Sequence, residues 1–432
     1  MFNLFASQEK KMRQNAAIWL ELADKVWNVR RDRLTAAETA DLTGGRDELR
    51  RQLKERADAG RLKLAIESLE GTLRRTGGAI YPKTSLTENV EFFLVAAIVI
   101  LGIKAYFLQP FTIPTNSMWP TYYGMTAENF PPGRAAPGLL TRAFRLVAFG
   151  ARRREAVAPR SGQVSAQFFT NGTMAFTVKT GRAWLFFPTQ VREYTFYVDG
   201  APAVVRVPLD FDAFDQVVVE TFFGTSDAFV RYWQQQAQEG RMEPSLIKPM
   251  EDSDDMQRVV TLTLNRTVQA GDPILRFDLM TGDKLVVDRI SYNFTRPKVG
   301  QGFVFRTDHI PEIAKEDYYI KRLVGVPGDL MEVRAPVLFR NGRPITGAGV
   351  FQLEATRTPP YTGYTYGDTL IGGVYLGRGQ TLTVPAGSYF AMGDNSSNSA
   401  DGRVWGFVPA KDAVGRPIFI YYPFTRRWGP AR

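Results

Sequence analysis

Few residues in this 432-residue chain can do covalent chemistry, because it has no cysteine and a single histidine, His309. Disulfides, thiolate metal sites, cysteine nucleophiles and histidine metal clusters are excluded on that ground. The nucleophiles left are serine, threonine, lysine and the carboxylates. A serine hydroxyl needs a neighbouring base to take its proton. His309 lies in "RTDHIPE", a polar turn between strand-like runs, and reads as a surface residue. The other available base is lysine. Its ordinary pKa of about 10.4 leaves it charged, and burial in apolar surroundings lowers that value.

Three stretches carry residues of the right kinds. "PTNSMWPT" (114–121) sets Thr115, Asn116 and Ser117 between two prolines, with Met118 and Trp119 behind them. "YYIKRLVGVPGD" (318–329) reads as a strand on which Tyr319, Lys321 and Leu323 share a face. A lysine among apolar neighbours on a buried face is unusual, and the alternative is an edge-strand lysine. "GSYFAMGDNSSNSADGRVWGFVP" (387–409) has a turn at Gly393, Asp394 and Asn395, then Ser399, Asp401 and Arg403 in alternation. Such a loop can orient a neighbouring amine; alone it reads as a polar turn before a strand.

The elements around these stretches change character along the chain. Residues 1–85 read as a water-soluble helical arm. Trp19, Leu22, Val26 and Val29 share one helical face, Leu62, Ile66, Leu69 and Leu73 another, and "TAAE" at Thr35–Glu38 is a capping box. The bland reading is a helical hairpin; a partner-binding coiled coil is the alternative. Ser85 and Glu88 resemble a second capping box, and Phe92–Ile103 is uninterrupted apolar sequence, with Lys104 near its far end. The expectation is a transmembrane helix over 86–108, against a buried core helix, which should not be apolar on every face. A basic arm before the span predicts a cytoplasmic N-terminus.

Beyond the span, "GLLTRAFRLVAFGARRR" (138–154) is a basic amphipathic stretch, suited to a membrane interface or to an ordinary surface helix. Asn171-Gly172, Asp199-Gly200 and Asn341-Gly342 mark hairpins. "SDAFVRYWQQQAQEG" is one helix, capped by Ser226 and ended near Gly240. The carboxylates of "DFDAFD" (210–215) lack EF-hand spacing, and "EDSDD" (251–255) is a loop. The net charge of +10 suits an anionic membrane surface, and no zinc finger, RNP-like or helix-turn-helix signature points to nucleic acid.

Taken together and in order, the stretches resemble the boxes of the bacterial type I signal peptidases, membrane-anchored Ser/Lys endopeptidases. "PTNSMWPT" looks like their serine box. "GDKLVVDRISY" with "PKVGQGFVF" resembles the next box, "YYIKRLVGVPGD" the lysine box, and "GDNSSNSADGRVWGFVP" with "VGRPIFIYYP" the last. The resemblance implies an antiparallel β catalytic domain that starts at 109–125 and resumes at 276–432; with the helical arm 1–85, which lacks an obvious family equivalent, and the transmembrane helix 86–108, the chain reads as mainly β. A large, β-rich α+β insertion, 126–275, divides it and has no recognised counterpart. Carried over, Ser117 is the nucleophile and Lys321 the general base. The Ser117 amide and the Thr115 hydroxyl form the oxyanion hole. Ser399 hydrogen-bonds the lysine amine, Asp401 and Arg403 brace the last box through a salt bridge, and Asp394 is structural. Met118 and Trp119 are expected to face lipid or substrate.

The sequence departs from the family at Asn116, where glycine is frequent, at Ser396 and Ser397, where Arg and Asp are common, and at Gly402, where serine is. The expected activity is removal of signal peptides from exported preproteins after an Ala-x-Ala-like site, without metal or cofactor. The chain would cross the inner (plasma) membrane once, with its catalytic domain on the periplasmic side. Preproteins, the bilayer and possible secretion machinery are the expected partners, with no nucleic acid. The rival readings are a self-cleaving Ser/Lys protein like the SOS repressors and a catalytically degenerate membrane-anchored scaffold.

Overall fold

The computed structural model describes residues 8–83, 85–183, 187–250, 255–313 and 316–431; residues 251–254 of the expected "EDSDD" loop lie outside these. The chain divides into two compact units, 1–101 and 102–432.

In the first unit the arm forms three helices rather than a hairpin: α1 (Gln8–Arg30), α2 (Ala36–Lys54) and α3 (Ala59–Thr76). The capping box opens α2, with the Thr35 side chain accepting from the Glu38 amide and Glu38 reaching back to the Thr35 amide. Asp58 caps α3 through the amides of Gly60 and Arg61. Leu62, Ile66, Leu69 and Leu73 pack against Leu42, Leu49 and Val26 in one core. Val29 departs from the expected stripe and stays exposed; the small Ala16 and Ala23 occupy the inner face of α1 instead, allowing close approach of the helices.

Helix α4 (Ser85–Tyr106) follows. Ser85 is already helical, and the preceding capping position, Thr84, lies outside the described residues. Phe92, Phe93, Leu94 and Val95 are all more than half exposed, as are Ile98, Ile100 and Leu101, so the helix is apolar around its circumference. Among the described residues no helix is long and apolar enough to cross a membrane. The expected span of 86–108 includes Thr87 and Ala105, whose side chains lie outside the described residues, and the helix ends at Tyr106, with a strand beginning at Leu108.

In the second unit a sheet holds the expected boxes. Its strands lie in the order Leu108–Thr112, Lys284–Asp288, Ala413–Tyr422, Gly302–Arg306, Tyr318–Gly325, Ser388–Met392 and Val408–Pro409, each antiparallel to its neighbours. Both faces of the Tyr318–Gly325 strand are covered at its C-terminal half: Leu323 packs with Phe303, Phe305 and Trp405, and Val324 with Met331, Phe390 and Met392. A four-stranded sheet over residues 330–383 extends this part, with the Asn341-Gly342 hairpin where both residues have positive φ, 54° and 74°.

The insertion builds its own layers. Thr126–Asn129, Pro273–Met280 and Arg152–Val157 form a three-stranded sheet. A six-stranded antiparallel sheet contains Gly162–Phe169, Phe176–Ala183, Phe187–Val198, Ala201–Pro208, Glu243–Ile247 and Gln257–Val268. The Asp199-Gly200 turn joins two of its strands, again with both φ values positive. Helix α5 (Leu139–Phe149) precedes this sheet, and α6 (Phe214–Phe222) and α7 (Ser226–Gln238) contribute to its core. The α7 cap is Thr225, one residue before the expected Ser226, since its hydroxyl accepts from the Ala228 amide. Asp212 and Asp215 of "DFDAFD" point to different partners, the Asn116 amide side chain and the Met174 backbone N–H.

Candidate active site

The serine turn leaves the edge strand Leu108–Thr112 through Ile113 and Pro114. Asn116–Met118 form one 3-10 turn, closed by the Trp119 amide donating to the Asn116 carbonyl at 3.0 Å. Asn116 fixes this turn from three sides. Its side-chain amide donates to the Met125 carbonyl at 3.0 Å and to Asp212 Oδ1 at 3.3 Å, and its Oδ1 accepts from the Gly124 N–H at 3.1 Å. A glycine would make none of these bonds, so this chain's departure from the family pattern is tied to the insertion that supplies Asp212. Met118 is fully buried beside Tyr122, Leu285 and Val287, which corrects the expectation that it faces lipid or substrate. The reason is that the 3-10 turn rolls position 118 inward under the sheet. Trp119 is half-buried near Tyr123.

Lys321 reaches this turn from the middle of the sheet. Its Nζ donates to Ser117 Oγ at 2.5 Å, across 204 positions of sequence. The lysine is only 4% exposed, whereas Ser117 is half-buried. Burial is the largest influence on the lysine and pushes its pKa down to about 8; Asp401 and Asp394 oppose the shift, and Arg403 adds to it.

Each carboxylate near the lysine is engaged by an arginine. Arg322 clamps Asp394 with Nε–Oδ1 at 2.7 Å and Nη2–Oδ2 at 2.5 Å, and Thr121 also donates to that carboxylate. Arg403, wholly buried, clamps Asp401 with bonds of 2.9 and 2.7 Å, while the Gly393 amide donates to Asp401 at 2.9 Å. Burial works against the Asp401 charge, but Arg403, its hydrogen bonds, the Gly393 amide and Lys321 together hold the carboxyl below its ordinary value. The remaining Arg403 donors go to Thr365 and Ser396. Ser396 thus occupies a fully buried position in the network, which a larger Arg side chain could not share in this packing. Gly402 lies where a Cβ would come within 2.7 Å of the Phe390 ring, so the glycine at this departure accommodates a core aromatic.

The last box meets the serine turn directly. The Asn395 amide donates to the Ser117 carbonyl at 3.1 Å, and its side chain to the Asn116 carbonyl at 3.1 Å. Gly393 permits this contact, because a Cβ there would lie 2.4 Å from the Ser117 carbonyl oxygen and 2.2 Å from Ser399 Oγ. Ser399 therefore sits at the site, but its hydroxyl is buried without a hydrogen-bond partner among the described residues, in contrast to the expected bond to the lysine. The lysine amine is instead directed at Ser117. Thr115 is half-exposed, extended, and does not cap the turn with its side chain. His309 lies at the surface, 3.0 Å from the Asp412 carboxylate.

Sequence reasoning missed Arg322, Thr121 and Asp212. Arg322 had a signal: it alternates with Lys321 on a strand covered on both faces, so it too needed a buried counterion. Asp212 had none, since its contact with Asn116 depends on how the insertion folds back.

This arrangement has relatives. The model of the family described as "Signal peptidase, peptidase S26" matches residues 274–422. The Synechocystis protein "Probable signal peptidase I-1" is 33% identical over 154 residues, covering 35% of this chain and 67% of that one. The signal peptidase I of Bacillus caldolyticus is 30% identical over 150 residues, covering 34% of this chain and 74% of that one. The chain belongs to the signal peptidase I family. It is accordingly a serine endopeptidase, a hydrolase of peptide bonds. A solved signal peptidase I from Enterococcus faecalis aligns at 28% identity with a TM-score of 0.21, over 28% of this chain and 98% of that one. The family match covers the lysine strand and the last box; it begins where most of the insertion ends.

Proposed function

We propose that this signal peptidase I family member is a membrane-anchored enzyme that removes signal peptides from exported preproteins, with Ser117 as nucleophile and Lys321 as general base. The reading rests on one observation above all: a buried lysine amine 2.5 Å from the hydroxyl of a half-exposed serine. A lysine with a pKa near 8 has an appreciable neutral fraction close to neutral pH, which a base requires.

In this mechanism neutral Lys321 takes the Ser117 proton as Oγ attacks the scissile carbonyl. The tetrahedral oxyanion is held by the Ser117 amide and the Thr115 hydroxyl. Collapse breaks the C–N bond, and the lysine proton passes to the leaving amine. Lys321 then takes a proton from water, hydroxide adds to the acyl-enzyme, and Ser117 leaves with the proton returned. The two Arg–Asp clamps fix the surroundings of the lysine amine, whose own hydrogen bond goes to Ser117. A substrate with small side chains at the -1 and -3 positions, Ala-x-Ala-like, would bind extended beside the serine turn.

Anchoring is supported by α4, whose Phe92–Ile103 segment exposes apolar side chains all round over about 18 Å at 1.5 Å per residue. The basic arm would lie in the cytoplasm and the second unit on the periplasmic side of the inner membrane. The test is cleavage of a preprotein in detergent with the cut site mapped. Ser117→Ala and Lys321→Ala should each lower the rate by at least about 10²–10⁴-fold while each variant still melts in one cooperative transition. Full activity in either variant rules the mechanism out.

A further inference from the structure

Helix α5 presents an apolar face that its own fold cannot cover. Leu139, Leu140, Phe144 and Val147 are 78%, 87%, 63% and 72% exposed, and at about 100° per residue they share one side of the helix. The other side is fastened. Ala148 is buried, and Arg145 pairs with Glu128 and with Asp278. Tyr422 Oη donates to the Val147 carbonyl at 3.1 Å, and the Phe424 amide donates to the Ala148 carbonyl at 3.0 Å. The helix therefore cannot roll its apolar face inward without breaking these bonds.

Beside that face is a cleft of about 1200 Å³. Arg142, Arg152, Arg154 and Lys284 line it, and none of the four forms an ion pair among the described residues. Lys284 Nζ stands 5.0 Å over the Tyr422 ring, and Arg154 Nε is buried without a hydrogen-bond partner. Uncompensated cations gathered on one cleft call for an anion, and guanidinium groups match phosphate oxygens best. Arg142 lies at the edge of the apolar face, where its stem can follow the apolar boundary while its head reaches headgroups.

We propose that α5 and this cleft form a docking site for an anionic bilayer surface. Leu139, Leu140, Phe144 and Val147 enter the acyl boundary, and Arg142, Arg152, Arg154 and Lys284 receive the phosphodiester headgroups. An anionic amphiphile satisfies both features at once, whereas a free phosphate would leave the apolar face in water. The site is independent of the peptidase chemistry, since its test reads lipid contact and not cleavage.

The chain has no cysteine, so L140C and V147C each create a unique attachment point for a polarity-sensitive fluorophore. The full-length protein is reconstituted in vesicles of equal parts phosphatidylglycerol and phosphatidylcholine, and in phosphatidylcholine alone, both with brominated acyl chains. In the anionic vesicles the labels at 140 and 147 should be quenched severalfold more than a label at V204C, a half-exposed strand position of the insertion. The R142E/R152E double substitution, checked for an unchanged melting curve, should reduce quenching at 140 to the V204C level. Quenching at 140 no greater than at 204 overturns the proposal. So does equal quenching in both vesicles with no effect of charge reversal. Protection of the label by polyglutamate but not by lipid would assign the face to an acidic polypeptide instead, and also overturns it.

Discussion

The catalytic sheet and the six-stranded sheet of the insertion are both antiparallel, yet they are filled differently. The insertion is held by aromatic and branched side chains, including Phe168, Phe196, Phe211 and Phe214, with Tyr194 stacked on Phe214 at 3.8 Å. Among the described residues of 126–275 the buried polar side chains are Asn129 and Gln236, neither of them charged. Around the catalytic sheet Lys321, Arg322, Asp394, Asp401 and Arg403 are all 4% exposed or less. Charges in an interior are costly unless paired, and well-packed apolar groups of similar volume hold a core at least as firmly. On the mechanism we propose, the catalytic sheet carries its charges for chemistry. Two arginines neutralise the two carboxylates, so neither lies free to hold the lysine proton, and among the described residues Lys321 is left buried with no carboxylate of its own, only a serine hydroxyl and the Tyr319 ring 5.9 Å away.

The comparison breaks first at Lys321. Lys321→Met should abolish cleavage, a loss of about 10²–10⁴-fold or more, and should raise stability at neutral pH. The folded-state pKa of about 8 lies below the reference 10.5, so the unfolded chain binds the extra proton between those values. Wild-type stability should accordingly rise from pH 8 to 10.5, and the penalty is fully present below 8. The shift corresponds to roughly 3 kcal/mol that the Met variant recovers, read from melting at pH 7 and flat across this window. A Met variant less stable than wild type would contradict the assignment of a buried, unpaired lysine.

Next is Arg403→Met. Removing one partner of a buried pair costs about 3–5 kcal/mol, and the freed Asp401 carboxylate would then raise the Lys321 pKa. The ascending limb of the pH–rate profile should move to higher pH in the folded fraction. Phe214→Ala sharpens the contrast from the other side. It should cost about 3–5 kcal/mol in stability while the limb stays in place, because no charge near the lysine changes.

The smallest effect belongs to the link between the two regions. Asp212→Ala removes an exposed 3.3 Å bond and should cost about 1 kcal/mol or less; Asn116→Ala, which loses three bonds, should cost more and lower kcat as well. Differential scanning and initial rates separate the two outcomes.

How much of this was legible in the sequence varied with the range of the interaction. The Asp199-Gly200 and Asn341-Gly342 hairpin turns and the Thr35–Glu38 capping box are local, and residue type with spacing was enough to read them. The Asp401–Arg403 pair came from the family resemblance, and the strands flanking Asn171-Gly172 meet only at the bridge of Phe168 with Met174, because another strand lies between them in the sheet. The α7 cap was misplaced by one residue because Thr225 and Ser226 are equally able to cap, and backbone geometry chose between them. Val29 was misassigned because helical periodicity finds a stripe without saying that small alanines will mark its centre. Met118 was turned outward in expectation because a Pro-bracketed turn gives no period from which to read direction.

The sequence alone pointed to the chemistry we propose: without cysteine and with His309 in a polar turn, lysine was the base left for a serine, and the resemblance of "YYIKRLVGVPGD" to the family's lysine box picked Lys321. It also determined that the Phe92–Ile103 run would be apolar on every side of a helix. Tertiary structure decided the rest. Strand alternation states which residues share a face but not what covers that face, so only the folded sheet puts the Lys321 amine on Ser117 across 204 positions. Only folding sets Arg322 on Asp394, Asp212 on Asn116, and four unpaired cations beside the exposed face of α5. Each of these depends on long-range pairing, whose partners are set by packing of distant elements and leave no local pattern in the chain.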